Sequence, residues 1–370
     1  MHCIQINLHR SFGGGEIYTS FLTEALIALG HQVTVFHRQG NPAWERLPMY
    51  GATLHAVHDV DELNRALSRL EGFVLTHSQP PANLVVPAGM PLVSIAHMPV
   101  HDRDHRGYLL AQRVFGVSGY VVATLKAKGI DRAHDEPWYG VAEMNRGAGD
   151  TPIVRNSRFT WDQQKVRDRL LGLLEPGYRR WLTPAPYATV TGLRLGIVSR
   201  IAPTKHFEKL FRIIAPILAD HPEVRLDIFG AGGYRSVRDL ETSLRPLRDR
   251  VRWWGHQANV VPAYTAIDYL ILGYPEQEAL GLNTIEAMMA NRAPLAIDLP
   301  PFNELIEHGK SGFLYADPRR DGGAGFAELV STLLDRPHPL RPLDEHPETL
   351  APFTRDAFRQ RVARGLADLG

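Results

Sequence analysis

Cysteine is almost absent: Cys3 is the single one among 370 residues. No disulfide can form within the chain and no zinc site of the cysteine type can be built, which sets the expectation of a reducing, cytoplasmic setting. An excess of one charge is missing as well. Lys plus Arg number 41 against 40 Asp plus Glu, a formal net of +1, so whole-molecule charge offers no case for nucleic acid as a partner. No stretch suits a membrane span. The longest uncharged run, Gly72 to Val100, holds Pro80, Pro81, Pro87, Pro91 and Pro99, a density that a spanning helix does not carry. The opening MHCIQINLH lacks a basic start ahead of a long apolar stretch and reads as a strand rather than a targeting segment. The remaining composition is ordinary, with 44% hydrophobic and 22% charged residues, which excludes disorder, collagen and coiled coil. At ~150 residues per domain the length suggests two domains.

Short β-rich apolar runs alternate with helical patterns, the signature of parallel sheets wrapped by helices. In the first half the expected strands are Cys3–Leu8, Val33–His37, Thr53–Val57, Phe73–His77, Leu92–His97 and Val114–Ser118. Ile17, Phe21, Leu22, Ala25 and Leu29 recur at helical spacing, and Gly30 ends that helix as a C-terminal cap. The pattern breaks near residue 146 and resumes at Leu193 with GIVSRIAP, followed by the strands VRLDIFG, VRWWG, DYLIL and APLAID. The expected fold is α/β, with two doubly wound domains. Residues 1–145 form the first, completed by a C-terminal helix over 352–370, and residues 146–350 form the second. That last helix has Thr354 as its cap and the pair Phe353 and Phe358 at the spacing of a hydrophobic staple. Between Arg146 and Arg180 eight basic residues face four acidic ones. A solvated helix face explains this, and so does a basic surface toward anionic lipid or glycan, which adds peripheral contact at the inner membrane face to the expectations.

Three constellations carry chemistry. Gly13, Gly14, Gly15 and Glu16 stand between the first strand and its helix, where glycines let a ligand approach the backbone and a helix N-terminus favours phosphate. A glycine triplet there can equally serve only to relieve sterics. The dinucleotide fingerprint is absent, because Ile17 and Tyr18 stand where its last glycine would be needed, and the second strand ends in Phe36-His37-Arg38 without an acid. Next, Arg200 and Lys205 follow the first strand of the second domain, at the end where doubly wound sheets bind ligands. Third, Glu278 and Glu286 are eight positions apart across a loop-to-helix junction. Asn283 or Thr284 would cap that helix and leave Glu286 in its first turn, where a carboxylate can accept from vicinal hydroxyls or simply serve the helix dipole.

Taken in order, these elements make the chain resemble the GT-B-fold retaining glycosyltransferases of the family-four type, the glycosyl transferases group 1. GGGE at Gly13–Glu16, R-x-x-P-x-K from Arg200 to Lys205, FGAGG at Phe229–Gly233 and E-x7-E from Glu278 to Glu286 carry the resemblance, with echoes at FGVSGYVVATLKAKGI, YGVAE and NELIEHGKSGFLY. It implies two Rossmann-like domains facing across a cleft, acceptor on the first and donor on the second. The implied reaction moves a hexose from a nucleotide sugar, a UDP-sugar first and a GDP-sugar second, to a hydroxyl on a glycan, lipid-linked or small-molecule acceptor. Retention of configuration is implied, while the cations and helix N-termini the sequence provides for the diphosphate, with no acidic cluster for a hard cation, set the expectation of neither metal nor cofactor. By the same resemblance Gly13 to Gly15 bring amides to the diphosphate, and Arg200 and Lys205 neutralise it as it leaves. Glu286 holds the ribose, while Glu278 and the amides of Leu280, Gly281 and Leu282 hold the sugar. Asn283 and Thr284 lie at the phosphates, and His97 looks at the donor sugar.

This chain departs from the pattern in places. His206 replaces the glycine expected after the lysine, Gly273-Tyr274 stands for Pro-Ser, and Leu299–Phe302 replaces a glycine pair before Glu304. His97, His101 and His105 are spaced as metal ligands on one helix face would be, but Pro99 among them argues against a helix there. Trp253-Trp254 reads as core rather than a stacking platform. A non-catalytic nucleotide-sugar-binding relative and a nucleotide-sugar epimerase of the same fold remain as alternatives.

Overall fold

The computed structural model describes residues 1–9, 13–41, 44–142, 144, 151–161, 170, 172–173, 187–367 and 369. They divide into two units. Unit 1 comprises Met1–Ala142, Glu278–Leu282 and Ala351–Gly370, and unit 2 comprises Glu143–Gln277 and Asn283–Leu350.

Unit 1 is built on strands β1 (His2–Asn7), β2 (Gln32–Arg38), β3 (Thr53–Val57), β4 (Phe73–His77), β5 (Leu92–Ala96) and β6 (Arg113–Gly116). They lie in the order β3-β2-β1-β4-β5-β6, with every pairing parallel. Covered on both faces, β4 and β5 are buried at every residue, which is why they show no apolar–polar alternation, with Thr76, His77 and Ser94 buried among apolar neighbours. Cys3 is fully buried in β1. Burial pushes its thiol well up, so it packs as a small apolar group.

Helix α1 (Gly14–Ala28) follows β1 and ends as the sequence predicts, with Gly30 left-handed at φ +83. Helix α2 (Val60–Leu67), not foreseen from the pattern, starts at Asp59, whose side chain accepts from Glu62 N. Helix α3 (Gly119–Ala127) is capped by Ser118.

The C-terminal helix Arg355–Leu366 packs on α1. Thr354 Oγ1 accepts from Ala357 N at 3.3 Å. Phe353 and Phe358 are buried at either end of that first turn, each worth about 1.5–3 kcal/mol by burial. Phe358 meets the Tyr18 ring of α1 edge-on at 5.6 Å. A Cβ on Gly365 would stand 2.7 Å from Trp138 and 2.8 Å from Phe115, so only glycine lets the helix seat there.

Unit 2 repeats the plan with β7 (Leu193–Val198), β8 (Val224–Phe229), β9 (Val251–Trp253), β10 (Tyr269–Ile271), β11 (Ala293–Ile297) and β12 (Phe313–Tyr315). The order is β12-β11-β10-β7-β8-β9, again parallel throughout. Strand β12, three residues long, is not among the expected strands. In each unit the order reverses once, between β1 and β4 and between β7 and β10, which are the switch points where such sheets bind ligands.

Most of the Arg146–Arg180 stretch lies outside the described residues. Of its described cations, Arg155 sits over the Trp254 ring at 5.2 Å, and Arg158 covers Phe159 and Trp253 while pairing with Glu241. These two are packed on aromatic rings rather than arrayed on a free face. Trp254 is buried in the unit 2 core, as expected. No helix among the described residues is long and apolar enough to cross a membrane.

Candidate functional site

Unit 2 gathers five of the expected residues at the carboxyl ends of β7 and β10. Arg200 is exposed two residues beyond β7, and a short 3-10 turn Pro203–Lys205 follows. His206 then takes φ +50, ψ 31, the left-handed conformation that glycine adopts freely. The turn is therefore of the glycine type although its residue is histidine. Tyr274 N donates to the Lys205 carbonyl at 3.1 Å. A Cβ on Gly273 would stand 2.1 Å from that same oxygen, so this chain needs glycine where the resembled family has proline.

The helix carrying Glu286 runs Leu282–Met289, directly after Gly281 at φ +74. Asn283 and Thr284 therefore lie inside its first turn rather than capping it, and Glu286 is its fifth residue rather than a first-turn acid. Asn283 Nδ2 donates to the Val198 carbonyl at 3.5 Å, tying the helix to the end of β7. Thr284 is fully buried, and its hydroxyl has no partner. The Glu286 carboxylate accepts from the Tyr264 hydroxyl at 2.7 Å. Burial raises the Glu286 pKa, against the opposing pull of the Tyr264 hydrogen bond and the Lys205 charge. Two cations and a half-buried carboxylate at one switch point can take a diphosphate and a pair of vicinal hydroxyls. Tyr264 carried no signal in the sequence, since it reads as one more apolar position ahead of β10.

Unit 1 gathers the rest. Gly13 precedes α1, and its N–H donates to Glu16 Oε2 at 2.7 Å. Glu16 thus caps its own helix from a buried position. A Cβ on Gly15 would meet nothing within 4 Å, and one on Gly14 would meet only Leu282 Cδ1 at 3.3 Å. Among the described residues no close packing contact demands glycine at position 15.

The segment Glu278–Leu282, placed in the second domain by sequence, groups with unit 1. The Ser118 hydroxyl donates to the Ala279 carbonyl, and Gly140 leaves room for the side chains of Leu280 and Leu282. His97 stands one residue past β5, its ring nearly parallel to that of His77 with centroids 5.3 Å apart and Nε2 3.1 Å from His77 Nδ1, and edge-on to Tyr18 at 4.8 Å. Its pKa is pulled down to about 3 by burial and by the charge of His9, so the imidazole is neutral at any physiological pH. His77, Gln5 and Tyr18, which surround it, look like ordinary strand and helix residues in the sequence.

His97, His101 and His105 share no helix, and His101 sits in a turn at φ +40. Two Asp-x-Asp triplets, Asp59–Asp61 and Asp102–Asp104, serve structure in part: Asp59 caps α2, and Asp104 pairs with Arg106. Among the described residues no three His, Cys, Asp or Glu side chains cluster as metal ligands would.

Residues 192–336 match the family model of glycosyl transferases group 1. An exopolysaccharide phosphotransferase of Streptomyces coelicolor is 26% identical over 304 residues, covering 80% of this chain and 28% of that protein. The GtfA subunit of a UDP-N-acetylglucosamine–peptide N-acetylglucosaminyltransferase from Streptococcus pneumoniae is 27% identical over 159 residues, 43% of this chain and 30% of that one. The chain thus spans less than a third of the length of these curated relatives. Anabaena HepE, solved in complex with UDP-glucose, superposes with a TM-score of 0.72 at 16% identity over 99% of both chains. The two sheets are those of the GT-B fold, and the segment 192–336 is similar to the group 1 glycosyltransferases.

Proposed function

We propose, from the premise of a GT-B chain with a group 1 glycosyltransferase segment, that this protein transfers a hexose from a nucleotide sugar to a hydroxyl acceptor. The observation that carries the proposal is the Glu286 carboxylate, held by Tyr264 at the switch point that also bears Arg200 and Lys205. Glu286 takes the ribose hydroxyls. Arg200 and Lys205, with Asn283 and Thr284 in the first turn of the following helix, take the diphosphate. Charge accumulates on that diphosphate as the glycosidic bond breaks, so preorganised cations lower the barrier most where the charge grows. Gly13, Gly14 and Gly15, Glu278, the amides of Leu280 to Leu282, and His97 keep the diphosphate and sugar roles that the resemblance assigns them.

A uridine donor is favoured because HepE was solved with UDP-glucose and the GtfA relative is named for UDP-N-acetylglucosamine. Retention of configuration and independence of metal are part of the proposal, as is a glycan, lipid-linked or small-molecule acceptor. A cytoplasmic setting rests on the lone, buried Cys3.

A thermal-shift panel of UDP, GDP, ADP and TDP tests the donor, since a ligand at ~100 times its dissociation constant adds ~2.7 kcal/mol. Stabilisation by one base over the others is expected, and no response to any of the four overturns the proposal. Conversion of the donor without an acceptor would identify an epimerase instead.

A further inference from the structure

A buried polar chain runs through unit 1 from α1 to His97. Gln5, Asn7, Thr19 and Thr23 are fully buried and His77 nearly so, and the mechanism proposed above uses none of them. Hydrogen positions along the chain follow from which groups can only accept. Thr23 Oγ1 lies 2.8 Å from the Thr19 carbonyl, so its one hydrogen is directed there. Toward Gln5, at 2.8 Å, Thr23 Oγ1 can then only accept, which requires the Gln5 NH2 on that side. The Gln5 Oε1 is thereby turned to His77 Nε2 at 2.7 Å. Two acceptors cannot bond, so His77 carries its hydrogen on Nε2 and a lone pair on Nδ1. His97 Nε2 sits 3.1 Å from that lone pair and must carry a hydrogen of its own.

We propose that Gln5 and His77 are positioning residues that lock His97 as a hydrogen-bond acceptor at Nδ1, so that the group it meets on its ligand is a hydroxyl offering a hydrogen. This rests on His97 acting as a sugar contact. Thr19 brings no competing hydrogen to His77 Nδ1, 3.3 Å away, because its own goes to the Gly15 carbonyl at 2.9 Å while it accepts from Asn7 Nδ2. The same Thr19 bond reaches Gly15 in the first turn of α1, so the glycine segment and His97 share one network. His9, whose Nε2 lies 3.2 Å from the His77 carbonyl, and Tyr18, edge-on to both rings, are the other titratable groups against the pair among the described residues. Burial and these neighbouring imidazoles keep both rings neutral. A protonated His97 would present a donor, and a flipped Gln5 would free His77 to do the same. Neither is compatible with a buried chain in which every hydrogen is committed.

Long-range proton–nitrogen NMR spectra of the histidine-labelled protein read the tautomers directly. Both rings are expected to carry the hydrogen on Nε2, without change between about pH 5 and 8, where an unperturbed histidine titrates. A hydrogen on Nδ1 of either ring, or an imidazolium in that range, overturns the proposal in the unmodified protein, whatever becomes of any variant. Gln5→Leu removes the lock. His97 is then expected to show both tautomers, and turnover of the sugar nucleotide to fall about tenfold, the size of one hydrogen bond. Affinity for the free nucleoside diphosphate should stay unchanged. His77→Asn, whose side-chain oxygen can accept where Nδ1 stood, is expected to restore both the single tautomer and the turnover. Mixed tautomers with full turnover would remove the positioning role. Correct tautomers in a protein that binds no nucleotide would overturn the donor proposal alone.

Discussion

Tyr264 holds Glu286: its phenol donates to Oε2 at 2.7 Å, from the short helix Val261–Ala266 that leads into β10. Tyr264 is fully buried, and its own pKa is pushed well up by burial and by the carboxylate. Burial disfavours the charged form of Glu286, and the Tyr264 hydrogen bond opposes that shift.

Replacing that carboxylate should separate stability from binding. The Glu286 pKa is raised in the fold, so the folded state binds more protons than the unfolded one between the ordinary carboxylate value of ~4.3 and the raised value. The protonated form's stabilising contribution is present below that window and is lost as pH rises through it. At neutral pH Glu286→Gln is therefore expected to gain about 0.5–2 kcal/mol in urea unfolding, with the gain vanishing in acid. Calorimetry of the same variant should show nucleoside diphosphate binding weaker by about 1.5–3 kcal/mol. A variant that is both less stable and equally good at binding would contradict this assignment.

Gly15→Ala is expected to leave the fold intact. No atom of the described residues lies within 4 Å of the new methyl, and alanine favours a helix by up to ~1 kcal/mol. Turnover should nevertheless fall roughly tenfold or more, because a methyl on the turn displaces a ligand drawn up to its amides. Thermal melts paired with initial rates check both halves, and unaltered kinetics would leave the glycine without a function.

Arg200→Ala and Lys205→Ala should each cut turnover by roughly 10²- to 10³-fold, with smaller effects on donor affinity. Gly273→Ala is expected to act indirectly, since its Cβ would press on the Lys205 carbonyl at 2.1 Å and must move that turn. Its rate should fall toward that of Lys205→Ala. Wild-type turnover in a folded double variant of Arg200 and Lys205 would remove both from the mechanism.

Asp227 is a stability element. Fully buried on β8, it accepts from Arg252 Nε at 2.7 Å, Trp254 Nε1 at 2.9 Å and the Tyr187 hydroxyl at 3.1 Å. Asp227→Ala strands Arg252 Nε and Trp254 Nε1, while the Tyr187 hydroxyl keeps the Ala266 carbonyl at 3.1 Å, and the change is expected to cost about 3 kcal/mol in chemical unfolding. A loss near zero would mean that water replaces the carboxylate.

Catalysis is expected to survive EDTA and to retain the anomeric configuration. The proposal gives the diphosphate two side-chain cations and the first turn of the Glu286 helix, the charge compensation that a magnesium ion supplies elsewhere. Anomeric coupling in the product, measured by NMR with and without EDTA, tests both expectations. Activity lost to EDTA and restored by magnesium would overturn the first, and an inverted anomer the second. An inverting route through His97 would need a base, and a ring with a pKa near 3 is a weak one.

Much of this was legible in the chain itself. Hydrophobic period and turn chemistry are local properties, so all six strands of unit 1, the stop at Gly30 and the Phe353–Phe358 staple could be read from neighbours a few residues apart. The order of Arg200, Lys205, Glu278 and Glu286 likewise survives in the linear sequence. Tertiary structure decided what depends on distant parts meeting. The helix starts at Leu282 because Gly281 turns left-handed and the loop before it packs against Ser118 and Gly140, which shifts Glu286 out of the first turn. Gln5 meets His77 across 72 positions and Tyr264 meets Glu286 across 22, each an unremarkable residue in its own strand or helix. The hydrogen a buried group carries is set by its partner's partner, and that dependence exists only once the chain has closed on itself.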